Sequence, residues 1–162
     1  MLQTTLGADI WYTLDGTTPS TTGTSTKYTL GSLFTIGQTK TITARQIKTG
    51  WEPSESASVV ITIKVANPTF TFLGGTFNND QTTKLNTTTT GAEVRYTTNG
   101  STPDANSIKF EEPTPILIAG TQTIKAIGVK AGCTPSAIIE ETYIMIALDP
   151  QITLPAAIYG ND

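Results

Sequence analysis

The sequence predicts an all-β protein made of tandem immunoglobulin-like β-sandwiches, of which the first lacks its initial strand or strands. Three observations support this prediction. About one residue in five is threonine, a β-branched residue that suits a half-solvated sheet. Most of the sequence consists of an internal repeat that occurs almost twice. Short apolar segments alternate with glycine, proline and asparagine, without helical periodicity.

The repeat defines the expected domains. Residues 8–19 (ADIWYTLDGTTP) recur as residues 92–103 (AEVRYTTNGSTP), 84 positions later. From Lys27 onward the offset is 82, because the preceding loop is two residues longer in the first copy. We therefore expect an incomplete sandwich over residues 1–64, which has no equivalent of 68–83, and a complete one over 67–146. Residues 150–162 resemble the start of the complete repeat, and they are predicted to form the first strand of a further one.

Seven short strands are expected in the complete repeat: 69–72, 82–88, 93–98, 107–110, 116–118, 121–130 and 137–146. Gly74-Gly75 is expected to break the chain as a bend or bulge, and Asn99-Gly100 to form a tight turn, because these residues accept positive φ. Seven short strands separated by turn residues are typical of an immunoglobulin-like sandwich. The short, proline-flanked linkers predict a stiff string of domains.

One turn motif follows the same strand in both repeats. The aspartate or asparagine is expected to bond its own backbone two residues on, the glycine to take positive φ, and the proline to end the strand. This motif is interpreted as structural. Its members are Asp15, Gly16, Thr17 and Pro19 in the first repeat and Asn99, Gly100, Ser101 and Pro103 in the second.

The composition argues against catalysis. The chain has no histidine and a single cysteine, Cys133, so the ordinary Ser-His and Cys-His pairs cannot form. The neighbouring carboxylates Glu111-Glu112 and Glu140-Glu141 point to opposite faces of a strand and cannot act as one acid/base dyad. We therefore expect no enzyme activity, no cofactor and no metal site. Ca²⁺ binding by aspartates 15, 80 and 104 stays open, although their spacing matches no dense oxygen-ligand loop.

The charge pattern also limits the expected partners. The net charge is −3 and the ten basic residues are scattered, so no basic stripe offers a nucleic-acid surface. No run of 18 apolar residues is present, so membrane insertion is not expected. Residues 1–10 lack the pattern of a signal peptide. An extracellular or cell-surface location would then require a signal outside this chain.

The two tryptophans are the candidate contacts to a ligand or partner. Trp11 is expected on the strand face opposite Ile10 and Tyr12, and therefore outward. Trp51 corresponds to Cys133 at the tip of a turn. An exposed tryptophan stacks on sugar rings or anchors a protein contact. The alternative is that Trp11 packs under a loop or neighbouring domain and Trp51 lies on a domain junction.

These motifs together resemble a known family. Residues 10–19, followed by TITA at 41–44, Gly50 and Pro53-Ser54, are similar to the chitobiase/β-hexosaminidase C-terminal-type domain, and residues 68–103 resemble it more closely still. That domain is a fibronectin III/immunoglobulin-like module. The resemblance implies an accessory or spacer module of secreted glycoside hydrolases, adhesins or cell-wall proteins, with no catalytic residues to carry over.

Two functions are therefore expected. The first is a non-catalytic structural or adhesive repeat module of a secreted or surface protein, which contacts neighbouring repeats or associates with itself head-to-tail. In that hypothesis residues 150–162 of one chain complete the first repeat of another, and the residues that fill its core are Ile152, Leu154, Ile158 and Tyr159. The alternative for this segment is a fragment end that donates no strand. The second function is a carbohydrate-binding accessory module of a secreted glycoside hydrolase.

Overall fold

The computed structural model describes residues 5–33 and 35–151, and these residues form strands, turns and loops without any helix. The prediction of an all-β fold is confirmed. Within these two described ranges, no helix is long and apolar enough to cross a bilayer.

The described residues of the first repeat form one antiparallel sheet. Its strands are β1 (Asp9–Thr13), β2 (Thr26–Lys27), β3 (Lys40–Ile47) and β4 (Ala57–Ile61). They are ordered β2-β1-β3-β4. Alternating Thr and Ile in β3 suit a strand whose two faces differ in exposure.

The second repeat contains the same four strands and five more. The nine strands are β5 (Thr69–Phe70), β6 (Gly75–Phe77), β7 (Gln81–Thr83), β8 (Leu85–Asn86), β9 (Glu93–Thr97), β10 (Ile108–Lys109), β11 (Ile116–Ile118), β12 (Gln122–Val129) and β13 (Ile139–Met145). One sheet has the order β10-β9-β12-β13-β6, and two small sheets pair β11 with β7 and β5 with β8.

The register of the shared strands is identical in both repeats. Tyr12 faces Ala44 across β1 and β3, as Tyr96 faces Ala126 across β9 and β12. A cross-strand pair at one equivalent position differs only in chemistry: the hydroxyls of Thr43 and Ser58 are 2.9 Å apart, whereas Lys125 and Glu140 form a 3.0 Å ion pair. The repeated sequence therefore specifies the same hydrogen-bonded ladder twice.

The hydrophobic core lies in the second repeat, between its large sheet and the small strands above it. Tyr143, on β13, is fully buried among aromatic rings, and its hydroxyl donates to the Phe72 carbonyl oxygen at 2.6 Å. The ring centroids of Phe72 and Phe77 lie 6.3 Å from that of Tyr143. The buried apolar residues of this core are Leu85, Val94, Ile116, Ile118, Ile124, Ala126 and Tyr143.

Two expectations for the start of the second repeat were wrong in detail. Gly74-Gly75 does not simply break the chain, because Gly75 begins β6, which runs parallel to β13. A Cβ at Gly74 would lie 2.3 Å from the Thr142 carbonyl oxygen, so glycine is needed here for close backbone approach. The single strand expected at 82–88 is instead β7 and β8, which belong to different small sheets.

Two neighbouring residues of β11 provide a test of the core. Ile118 is fully buried, whereas Leu117 points outward. We expect Ile118→Ala to lower the free energy of unfolding of the second repeat by about 2–5 kcal/mol, because it leaves a cavity. Leu117→Ala should change it by less than about 0.5 kcal/mol. Urea denaturation measures both, and equal effects would contradict the position of the core.

Candidate functional site

The first repeat presents an apolar sheet surface that we term the open face. It is the side of the sheet whose counterpart forms the core of the second repeat. Its members are Ile10, Tyr12, Ile42, Ala44, Val59 and Ile61.

The open face is less buried than its counterpart, although the two share sequence and register. Ile124, Ala126 and Tyr143 are 0 % exposed in the second repeat. Their equivalents Ile42, Ala44 and Ile61 are only half-buried. The difference therefore comes from what covers the sheet.

The cover in the second repeat is built from strands that the described part of the first repeat does not contain. Phe70, Phe72 and Phe77 pack on the core from residues 68–83, and β11 pairs with β7. The first-repeat equivalent of β11 is residues 34–36, of which Thr35 and Ile36 are described and lie outside any strand. Among the described residues of the first repeat, no counterpart of β7 lies beside Thr35 and Ile36.

A groove of about 350 Å³ marks the centre of the open face, lined mainly by apolar atoms of β1, β3 and the loop after β2. Tyr28 packs edge-on against Tyr12, with ring centroids 6.5 Å apart. Leu33, at the rim of the groove, is 98 % exposed. An apolar groove with exposed leucine at its rim is suited to receive apolar side chains.

The edge of the same sheet also differs between the repeats. In the second repeat the outer edge of β13 pairs with β6. Among the described residues, the equivalent edge of β4 has no strand beside it, and Val59 is 52 % exposed. The predicted donor residues Ile152, Leu154, Ile158 and Tyr159 lie outside the described residues.

The turn motif has the same geometry in both repeats. The Asp15 carboxylate accepts from the backbone N–H of Thr17 at 3.0 Å and from its hydroxyl at 2.6 Å, and Asn99 accepts the same two bonds from Ser101 at 3.1 and 2.7 Å. Gly16 and Gly100 have φ of 79° and 74°. Pro19 and Pro103 are buried below the turn.

The turn is tied to the sheet by the glycine. The N–H of Gly16 donates to the Thr41 carbonyl oxygen, and that of Gly100 to the Thr123 carbonyl oxygen. The Thr17 hydrogen bonds, through the side chain first and then the backbone, lower the pKa of the Asp15 carboxyl below its ordinary value of 3.8. The Asp15 and Asn99 side chains and the glycine N–H groups are thus engaged by the turn itself or by the adjoining strand, which is what a structural role requires.

The two tryptophans are in different environments. Trp11 is half-buried, and its register neighbours are Lys27 and Arg45. Trp51 is 63 % exposed at the tip of its turn, and the Lys48 ammonium lies 4.2 Å from its ring centroid. Of the two, Trp51 is the residue available for an external contact.

The acidic residues are engaged separately. Glu140 pairs with Lys125, while its neighbour Glu141 accepts from the backbone N–H of Gly74 at 2.8 Å. The carboxylate of Asp104 accepts from Asn106 and Ser107 in its own loop. Within residues 5–33 and 35–151, no three histidine, cysteine or acidic side chains gather as a metal site would need, and aspartates 15, 80 and 104 are not brought together.

The structure also shows how one repeat meets the next. We term residues 37–39 and 63–65 the outgoing end of the first repeat, and residues 130–134 the receiving turn of the second. Thr39 N donates to the Gly132 carbonyl oxygen at 2.7 Å, and the Thr134 N–H donates to the Ile63 carbonyl oxygen at 2.8 Å. Val65 N then donates to Thr134 O at 2.9 Å. The contact therefore includes three backbone hydrogen bonds, and the buried Val65 side chain and the Gln38 side chain add to it.

The lowered pKa of Asp15 predicts a pH dependence. Its contribution to stability is fully present above the ordinary pKa of 3.8 and is lost as the pH falls through the lower folded value. Asp15→Asn keeps the acceptor oxygen, as Asn99 does, and does not titrate. We expect its melting temperature to fall less than that of the parent between pH 4 and pH 2, measured by circular dichroism (about pH 4 being where free aspartate titrates). Parallel curves would contradict this expectation, and Asn99→Asp should steepen the loss in the second repeat.

The chain was compared with known protein families. A model described as the chitobiase/beta-hexosaminidase C-terminal domain matches residues 1–59 and 72–140. Among curated proteins, no similar sequence was found. The two matched ranges correspond to the two repeats, and the family is a non-catalytic C-terminal accessory module of glycoside hydrolases. This chain belongs to the chitobiase/β-hexosaminidase C-terminal domain family.

Proposed function

We propose that the chain is a structural, self-associating module of a secreted or surface protein, in which residues 150–162 of one copy cover the open face of another. The membership of a non-catalytic family is consistent with a role in binding or spacing. In this proposal the open face is the binding surface, and a second copy of the chain is the partner.

One observation carries the proposal: the same sheet is fully covered in one repeat and half-covered in the other. Ile124 and Ala126 are completely buried, while Ile42 and Ala44 are not. Fully burying one Leu or Ile side chain contributes about 1.5–3 kcal/mol. Covering the open face with a few such side chains therefore supplies a substantial driving force for association.

Residues 150–162, which we term the donor segment, repeat the apolar pattern of the residues that cover the core of the second repeat. At the offset of 82, Ile152, Leu154 and Tyr159 correspond to Phe70, Phe72 and Phe77, all of which pack on the core of the second repeat. Ile158 corresponds to Thr76, which is exposed. The register thus favours Ile152, Leu154 and Tyr159 as the core-filling residues, and in this proposal Ile158 lies on the outer side.

One position changes how the donor binds. Ala156 corresponds to Gly74, where an added Cβ would lie 2.3 Å from a backbone oxygen of β13. Ala156 cannot approach β4 as closely as Gly74 approaches β13. Its neighbour would be Val59 in place of Glu141, so the pair becomes apolar. We therefore assign the binding to side chains that fill the groove rather than to a continuous backbone ladder along β4.

The symmetry of such a contact is head-to-tail. The donor segment follows the second repeat, and the open face belongs to the first. Each copy therefore donates a segment at its C-terminal end and accepts one at its first repeat. A heterologous contact of this kind builds rings when the rotation closes and filaments when it does not.

Two neighbouring donor residues test the proposal. Leu154→Asp places a carboxylate in the groove, and we expect it to weaken association about a hundredfold or more. Thr153→Asp is the matched control, because its counterpart Thr71 is exposed and it should leave association intact. Light scattering over a concentration series measures both, together with a variant lacking residues 150–162. A monomeric parent chain, or a Leu154→Asp variant that associates like the parent, would reject strand donation.

A second function is favoured by the exposed Trp51. A tryptophan ring open to solvent on one turn can stack on a sugar ring, and accessory modules of glycoside hydrolases are found in this family. In this case the chain is a carbohydrate-binding module.

Retention on insoluble polysaccharide tests this second function. Trp51→Ala should abolish retention of the parent chain, because the stacking surface is removed, whereas the adjacent exposed Glu52→Ala should preserve it. Pull-down with a series of insoluble polysaccharides measures the bound fraction. If the parent chain is not retained, or if the Trp51 variant binds equally well, carbohydrate binding through this residue is rejected.

A further inference from the structure

The contact between the two repeats is made of two complementary surfaces, and the chain carries each of them a second time. The receiving turn of the first repeat is residues 48–52, at the offset of 82 from residues 130–134. The outgoing end of the second repeat is residues 119–121 and 145–147. Neither surface is used by the contact between the two repeats of one chain.

The receiving turn is built identically in both repeats. The N–H of Trp51 donates to the Lys48 carbonyl oxygen at 3.0 Å, as that of Cys133 donates to Lys130 O at 3.1 Å. Gly50 has φ of 78° and Gly132 has φ of 74°.

The residues behind the turn agree as well. The Lys48 ammonium donates to the Leu6 carbonyl oxygen, just as that of Lys130 donates to Thr90 O. Ser54 N donates to Gln46 O at the same 3.0 Å as Ser136 N to Gly128 O. The backbone groups that receive the first repeat at 131–134 are therefore presented in the same conformation at 49–52.

The outgoing ends of the two repeats also share an internal hydrogen bond. The N–H of Ile63 donates to the Thr39 hydroxyl at 3.1 Å, and this bond holds together the two segments that meet the receiving turn. In the second repeat the N–H of Met145 donates to the Thr121 hydroxyl at 2.9 Å. The Thr121 N–H, Met145 carbonyl and Ala147 N–H are thus placed as their counterparts are in the observed contact.

Some side chains differ between the observed contact and the equivalent contact with a second copy, and their sizes change in compensating directions. In the observed contact Gln38 meets Gly132, beside Cys133. At the equivalent positions a second copy would bring Gly120 against Gly50, with Trp51 in the place of Cys133. An added Cβ on Gly120 meets no atom within 4 Å, so there is space for a large neighbour. The larger side chain is then on the receiving turn, at Trp51, whereas in the observed contact it is on the outgoing end, at Gln38.

A second pair shows the same exchange. The Val65 side chain fills the space beside Gly128. A Cβ added to Gly128 would lie only 2.7 Å from Cγ1 of Val65. The corresponding pair is Ala147 with Gln46, again with the larger residue on the opposite side. Two exchanges of size at one interface indicate surfaces that fit each other rather than two unrelated exposed patches.

We infer that the outgoing end of the second repeat docks on the receiving turn of the first repeat of another copy of this chain, with the Trp51 ring covering Gly120. This inference rests on the proposed self-association and assigns to it a second contact, separate from the donor segment. The docking geometry repeats the contact between the two repeats, so successive molecules continue the array as successive domains do. Trp51 is then a junction residue, not a sugar platform.

A short bis-maleimide cross-linker tests the inference on the full chain. The variant Trp51→Cys/Gly120→Cys/Cys133→Ser places thiols on the two sides of the inferred contact. Gln38→Cys with the native Cys133 is the positive control, because Gln38 contacts Gly132 and Cys133 contacts Gly37, so the two thiols lie on adjoining positions within one chain. The negative control, Thr18→Cys/Gly120→Cys/Cys133→Ser, has its first thiol at another exposed site of the first repeat.

We expect a ladder of dimers and larger species from the Trp51 variant, at least tenfold more abundant than from the Thr18 variant. The Gln38 control should give an intrachain link at the monomer mass. Equal amounts of intermolecular product from the Trp51 and Thr18 variants would overturn the inference.

Adding Leu154→Asp separates this result from strand donation. A ladder that persists in the presence of Leu154→Asp shows that the junction stands without the donor strand. If the parent chain associates through Leu154 but the Trp51 ladder does not exceed its control, strand donation stands and the junction is rejected. Circular dichroism establishes that each variant is folded before cross-linking.

Discussion

A β-sheet with an apolar face needs a second layer to cover it, and this constraint governs the whole molecule. In the second repeat the cover is supplied by Phe70, Phe72 and Phe77 and by the small strands that hold them. The first repeat has the same sheet with the same register, but its described residues provide no equivalent layer. A half-covered sheet of this kind exposes apolar area to water and leaves a strand edge available. Covering that face is the physical basis for the proposed association.

The two repeats act as internal controls for each other. Where they agree, as in the turn at Asp15 and Asn99, the shared geometry reflects a local requirement of the fold. Where they differ in burial but not in sequence, as at Ile42 and Ile124, the cause is a missing neighbour. Where equivalent positions differ in side-chain size, as at Trp51 and Cys133, the difference is one basis of the inferred contact between molecules. Each comparison separates a local effect from a tertiary one.

The proposed strand-receiving groove and the inferred junction at Trp51 belong to the same head-to-tail arrangement. Within the chain, the first repeat passes through the contact at Thr39 and Gly132 into the segment that covers the second repeat. Between chains, the second repeat would pass through Gly120 and Trp51 into the segment that covers the next first repeat. The observed junction combines backbone hydrogen bonds with side chains that fit by size, whereas the proposed contact at the groove depends on apolar side chains.

The sequence alone determined the all-β fold, the two repeats and the position of the turn motifs, because these depend on local periodicity and on residues such as Gly16 and Gly100 that only certain backbone conformations require. It also identified Trp51 as the tip of a turn. Only the tertiary structure decided that Gly74 serves close approach to β13 rather than a break, and that Trp11 is half-buried. Close approach and burial depend on which segments meet across long sequence separations, and no local pattern encodes that.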